Sequence, residues 1–130
     1  MELKTLLEDE RGSISVLIGP EFLLMEEVTV FKTKGGFARG GCIHQYSKEH
    51  LVVIEGVINY IYEDQITGEL EEVELTTGDR WTIPAKTPHY LISLTDSIIM
   101  EWGPKVEEKQ TKFGPFREKV LEWNKKLLLQ

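Results

Sequence analysis

From Ser13 to Trp102 the chain is a succession of short runs with β character, each closed by a turn signal. That pattern excludes helical bundles and parallel α/β folds. Ile14, Val16 and Ile18 alternate with Ser13, Ser15 and Leu17, and Gly19-Pro20 breaks the run. Val28-Thr29-Val30-Phe31-Lys32 is β-branched and aromatic, and Lys34-Gly35-Gly36 ends it. His50 to Glu55 and Val57 to Tyr62 flank Gly56. Glu63 to Gly68 is a polar turn, Leu70 to Leu75 alternates, and Thr77-Gly78-Asp79 turns again. Trp81-Thr82-Ile83, Tyr90-Leu91-Ile92 and Ile98-Ile99-Met100 complete the set. Many short strands with regular turns predict an all-β sandwich or barrel. Pro84 and Pro88 belong to turns, because proline removes a donor from a strand ladder.

The two ends read differently. Leu3, Leu6 and Leu7 suit either a helical turn or an edge strand, and Asp9-Glu10-Arg11-Gly12 reads as a turn. Near the other end Pro115 fits the first turn of a helix. Phe116, Val120, Trp123 and Leu127 then mark one helical face, with Lys125 and Lys126 at the negative end of the dipole. The helix is expected on the outside of the β body or against a second subunit.

At 130 residues, 41% of them hydrophobic, the chain supports one core. A net charge of −7 argues against duplex nucleic acid and anionic membranes as partners. A small anion held by local Arg or Lys stays open. Cys42 is the only cysteine, so no internal disulfide forms, and a reducing cytoplasm is the simplest expectation. Met1 to Thr5 lacks the basic region and long apolar stretch of a signal peptide, and the apolar runs are too short to span a bilayer.

Chemistry concentrates in two distant segments. Cys42 and His44, two apart, share a face if extended. Glu49 would fall on the opposite face of one unbroken strand, so Gln45-Tyr46-Ser47-Lys48 must turn and let Glu49 open the next strand beside His44. Leu51 and Val53 continue that face, and a carboxylate on an apolar face needs a partner. His89 arrives after the Pro84 to Pro88 turn. His50 and Tyr90 alternate away from Glu49 and His89 and read as structural. Tyr46 lies in the turn and is a candidate proton donor and substrate contact. Arg39, in Gly35-Gly36-Phe37-Ala38-Arg39-Gly40-Gly41, sits either in a flexible bend or where its guanidinium grips a phosphate or carboxylate. Cys42 is either a small buried apolar residue or a thiolate ligand biasing the site towards Zn. Without it, His44, Glu49 and His89 form a two-His, one-carboxylate set suited to non-haem Fe(II). A metal-free cavity using the same groups is the third reading.

The spacing Gly36-x5-Cys42-x-His44-x4-Glu49-x6-Gly56, followed by Gly78-x5-Pro84-x4-His89, resembles the two motifs of the cupin superfamily. Cys42 stands where the first motif has a histidine, Lys86 where the second has a glycine, and Ser93 where it has an asparagine. The resemblance covers roughly residues 11–104. It implies a single-domain cupin β-barrel of jelly-roll type with the C-terminal helix (about 115–129) appended, and a homodimer. It also implies a divalent metal (Zn, Fe, Mn or Ni) held by Cys42, His44, Glu49 and His89. Glu10-Arg11-Gly12-Ser13, Arg39-Gly40 and Met100-Glu101-Trp102 look like cupins that modify nucleotide-linked sugars, ketoisomerases and epimerases among them. That likeness implies isomerisation or epimerisation with His44 as base, Glu49 and His89 positioning or polarising, and Arg39 and Tyr46 contacting the substrate. A non-catalytic ligand-binding cupin and an Fe(II) oxygenase are the alternatives.

Overall fold

The computed structural model describes residues 2–18, 28–103 and 111–130. Among the described residues eleven strands form two antiparallel sheets. In chain order they are β1 (Glu2–Asp9), β2 (Gly12–Ile18), β3 (Thr29–Thr33), β4 (Ala38–Ile43), β5 (Glu49–Glu55), β6 (Val57–Glu63), β7 (Leu70–Thr76), β8 (Arg80–Ile83), β9 (His89–Ser93), β10 (Ser97–Trp102) and β11 (Thr111–Lys112). One sheet runs β1-β2-β3-β10-β5-β8 and the other β11-β4-β9-β6-β7. From β3 to β11 every consecutive pair except β6–β7 switches sheets, so the chain wraps two facing layers as a jelly roll does. Helix α1 (Gly114–Leu128) follows β11.

Alternation sets the core. Leu51 and Val53 of β5, Ile58 and Tyr60 of β6, Leu91 of β9 and Ile99 of β10 interdigitate between the sheets, closed by Leu75 and Ile83. Burying one such aliphatic side chain contributes about 1.5–3 kcal/mol. The first ten residues take the edge-strand option: β1 pairs along β2 with Leu3, Leu6 and Leu7 exposed. The Gly19-Pro20 break lies outside the described residues.

Two elements depart from the sequence reading. The glycine-rich stretch turns only at Gly35-Gly36, and residues 38–43 form β4, paired with β9 and β11. The docked face of α1 also turns slightly from the stripe read in the sequence. Phe116, Val120 and Asn124 are buried, while Trp123 is half exposed at the margin. The reason is hydrogen bonding. The Asn124 side chain brackets Ala38, accepting from its N–H at 2.8 Å and donating to its C=O at 2.9 Å. Trp123 Nε1 donates to Gly36 O at 2.6 Å, and Arg117 Nη1 to Gly40 O at 3.1 Å. Side chains of α1 thus satisfy backbone groups along the outer edge of β4 that would otherwise invite a foreign strand.

Candidate functional site

β4, β5 and β9 bring the four ligand-type residues together between the sheets. As the sequence requires, residues 45–48 turn and Glu49 opens β5. Cys42 and His89 face each other directly across the β4–β9 ladder. All four are buried, with Cys42 5%, His44 6%, Glu49 6% and His89 4% exposed. Glu49 Oε2 lies 2.7 Å from His44 Nε2 and Glu49 Oε1 lies 3.3 Å from His89 Nε2. Cys42 Sγ lies 3.6 Å from the same His89 nitrogen. Ligand atoms of Cys42, His44 and His89 fall within 4.8 Å of one another.

The protonation pattern follows from the partners. His89 Nδ1 meets Thr87 O at 2.9 Å, and a carbonyl only accepts, so Nδ1 carries the proton. A neutral His89 therefore turns the lone pair of Nε2 towards Glu49 and Cys42, a position that favours a cation, either a proton on His89 itself or a bound metal. Burial opposes that charge, but Cys42 and Glu49 outweigh it and raise the His89 pKa well above its ordinary value. Burial likewise opposes the Glu49 carboxylate, yet His44 and His89 bring its pKa down to about 2.

A divalent metal fits the same geometry. Its charge would serve where the His89 proton does. Both ring nitrogens of buried His44 lack a hydrogen-bond partner, and the close approach of Nε2 to Glu49 misses the angle of a hydrogen bond. An orphaned imidazole nitrogen beside a carboxylate, a thiol and a second imidazole is a donor set of the kind that takes Zn or a neighbouring transition ion. The Thr87 carbonyl on His89 Nδ1 is the outer-shell contact that orients a ligating histidine.

The cluster lines a cavity of about 490 Å³. Arg39 lines it too, 4% exposed, and no carboxylate among the described residues is bonded to it. Its Nε donates to Thr33 Oγ1 at 2.6 Å and Nη2 to Lys32 O at 3.1 Å, while Nη1 has no partner. The guanidinium lies over the Phe31 ring at 5.6 Å. Burial, and then the charge of Arg11, pull its pKa down to about 10. A buried cation in that position is poised for an anion.

Arg39 and Cys42 are three apart and on a regular strand would face opposite ways. A bulge reconciles them. Gly40 pairs with Tyr90 and Cys42 with His89, so Gly41 is an extra residue on β4, with φ of 101° at Gly40 and 85° at Gly41. The glycine pair was the sequence trace of this feature, but periodicity alone does not place a bulge.

Tyr46 is 86% exposed and is not among the described residues lining the cavity. His50 shares a hydrogen bond with Thr82 and stacks on Trp102, and Tyr90 packs edge-on against Phe116. Glu101 lines the cavity beside the cluster and was not singled out for chemistry. Burial and the nearby Glu49 charge raise its pKa well above the usual carboxylate range. Its signal was period two: with Ile99 facing inward, Glu101 shares that face.

The Cupin domain family matches residues 32–102. This chain belongs to the cupin family. Among solved structures it is similar to the capsular polysaccharide assembling protein CapF of Staphylococcus aureus. There the identity is 20% and the TM-score 0.72, over 86% of this chain and 32% of that one. It is similar also to oxalate decarboxylase of Lactobacillus farciminis in its formate complex, at 17% identity and TM-score 0.71, over 88% of this chain and 34% of that one. An oxalate oxidase bound to glycolate matches at 14% identity and TM-score 0.62, over 68% of this chain and 46% of that one. The chain spans about a third of the length of the first two, and these likenesses carry the fold alone. No curated protein matches the sequence. No described helix of this cupin is long and apolar enough to cross a membrane.

Proposed function

We propose that this cupin binds a divalent metal through Cys42, His44, His89 and Glu49. We propose further that it acts on a small anionic carbohydrate, nucleotide-linked in the first instance, by proton transfer beside a carbonyl. The outcome would be isomerisation or epimerisation. The observation that supports this reading is the cluster and the Arg39 guanidinium, whose Nη1 has no hydrogen-bond partner, lining one cavity. Arg39 holds the phosphate or carboxylate of the substrate and so fixes which carbon faces His44. During turnover Cys42, His89 and Glu49 would hold the ion, and the His44 lone pair, which no hydrogen bond engages, would accept the proton. Glu49 holds both imidazoles in place. When bound, the metal supplies Lewis-acid polarisation of the carbonyl. Likeness to a capsular polysaccharide assembling protein supports the carbohydrate direction.

The test is proton exchange. The metal-loaded protein is incubated in D2O with a panel of nucleotide-linked keto sugars, and proton NMR follows the hydrogen beside the carbonyl. Exchange that vanishes in His44→Ala, with the fold retained by circular dichroism, is expected. Ligand-induced thermal stabilisation without exchange would replace this reading by a binding cupin without turnover. Oxygen consumption with Fe(II) would replace it by an oxygenase using His44, Glu49 and His89.

A further inference from the structure

We infer that helix α1 positions the donor cluster: through Arg117 and its own backbone it holds the Gly40–Gly41 bulge that turns Cys42 and Arg39 into the same cavity. This rests on the reading that Cys42 is a metal ligand. The bulge is an either-or device. If Gly41 entered the ladder as an ordinary residue, the register would slip by one, and Cys42 and Arg39 could no longer both face inward. Nothing in β4 alone favours the bulged register, because a glycine pair adopts either state at little cost.

The favouring contacts come from the C-terminal segment. Phe113 N–H donates to Gly41 O at 2.8 Å, and Arg117 Nη1 donates to Gly40 O at 3.1 Å. The α1 backbone lies directly on the bulge: a Cβ added at Gly41 would come within 2.6 Å of Arg117 Cα and 2.7 Å of its N. Just beyond, β11 pairs Lys112 with Cys42 itself. Before the bulge, Asn124 brackets Ala38. The C-terminal segment therefore touches the strand on both sides of the inserted residue, β11 beyond it and the helix before and over it. Apart from Arg117, whose side chain reaches the cavity wall, these contacts lie outside the site. Arg117 is a positioning residue in this account.

Cobalt(II) provides the test, because a thiolate ligand gives it a near-ultraviolet charge-transfer band that imidazole and carboxylate ligands do not. The full-length protein is loaded with Co(II) and titrated in three variants. Arg117→Met removes the bond to Gly40. Gly41→Ala forces the helix off the bulge. Trp123→Phe removes the bond to Gly36 at the far end of the strand and serves as control. The expected result is a Co(II) affinity at least about tenfold weaker in Arg117→Met, with loss of the thiolate band and an unchanged far-ultraviolet spectrum. Trp123→Phe should melt earlier yet keep band and affinity. If Gly41→Ala fails to fold, Arg117→Met decides. The inference is overturned if folded Arg117→Met keeps its band and binds within about twofold of the parent. It is overturned equally if Trp123→Phe loses the band to the same extent, which marks a purely stabilising helix. A parent that binds Co(II) without any thiolate band removes Cys42 from the ligand set, and the inference falls with that reading.

Discussion

Glu49→Gln isolates the electrostatic centre of the cavity. In metal-free protein the carboxylate is buried, with Oε2 2.7 Å from His44 and Oε1 3.3 Å from His89. Its pKa stands at about 2 against an ordinary 4.5. At about 1.4 kcal/mol per unit, that depression corresponds to roughly 3 kcal/mol of preference for the charged form. Breaking a buried ion pair from one side costs a similar amount, about 3–5 kcal/mol. Glutamine keeps the shape and removes the charge, so the variant should lose about 3 kcal/mol at neutral pH. In urea, with a slope of about 1.5–2 kcal/mol per molar, the midpoint falls by roughly 1.5–2 M. The sign in pH is fixed by the depression. Glu49 contributes its full stabilisation above 4.5 and loses it as pH falls towards 2, so parent and variant converge on acidification. His89 works the other way: its raised pKa contributes fully below 6.5 and fades as pH rises through the folded value. Chelator-treated protein is unfolded in urea at several pH values and followed by tryptophan fluorescence. A loss under about 1 kcal/mol at neutral pH, or a difference that does not shrink on acidification, would refute the coupling of Glu49 to the two imidazoles.

Three further outcomes follow from the geometry. Arg39→Met should leave stability unchanged or raise it, since it removes a buried cation with no carboxylate partner among the described residues, while abolishing any thermal stabilisation by inorganic phosphate or nucleotide. Glu101→Gln imitates the protonated carboxyl that burial favours. It should melt within about 2 °C of the parent below pH 4.5, where folded and unfolded parent both hold the proton, and become the more stable of the two as pH rises from there towards the raised Glu101 pKa, read by calorimetry. Gly56→Ala should cost at least about 2 kcal/mol in a denaturant titration, because φ is 103° there and a Cβ would run into the Asp96 carbonyl oxygen.

Much of the site was legible in the sequence because its parts are governed by short-range rules. Cys42 lies in β4 and His44 one residue past its end, with their ligand atoms brought together as the spacing of two implies, and Glu49 opens β5 after the turn. His89 followed from the proline turn. What stayed hidden depends on long-range partners. The strand character of residues 38–43 comes from pairing with β9 and β11 and from hydrogen bonds supplied by a helix more than seventy residues away, not from β propensity, which Ala38-Arg39-Gly40-Gly41 lacks. The docked face of α1 was misjudged by one position because Asn124 is polar. Apolar periodicity is blind to a buried amide that satisfies a strand edge. Glu101 enters the sequence reading only within the Met100-Glu101-Trp102 likeness and not as a cavity carboxylate, because a carboxylate near a strand end ordinarily faces solvent.

The central claim, that Cys42, His44, Glu49 and His89 form a metal site, is tested most directly by elemental analysis. The protein is purified without a His tag or chelator, beside a His44→Ala, His89→Ala double variant. Near-stoichiometric Zn, Fe, Mn or Ni in the parent, lost in a variant that keeps its β spectrum, is the predicted result. No metal in the parent, even after each of those ions is resupplied, would contradict the account and leave the His89 proton as the cation facing Glu49.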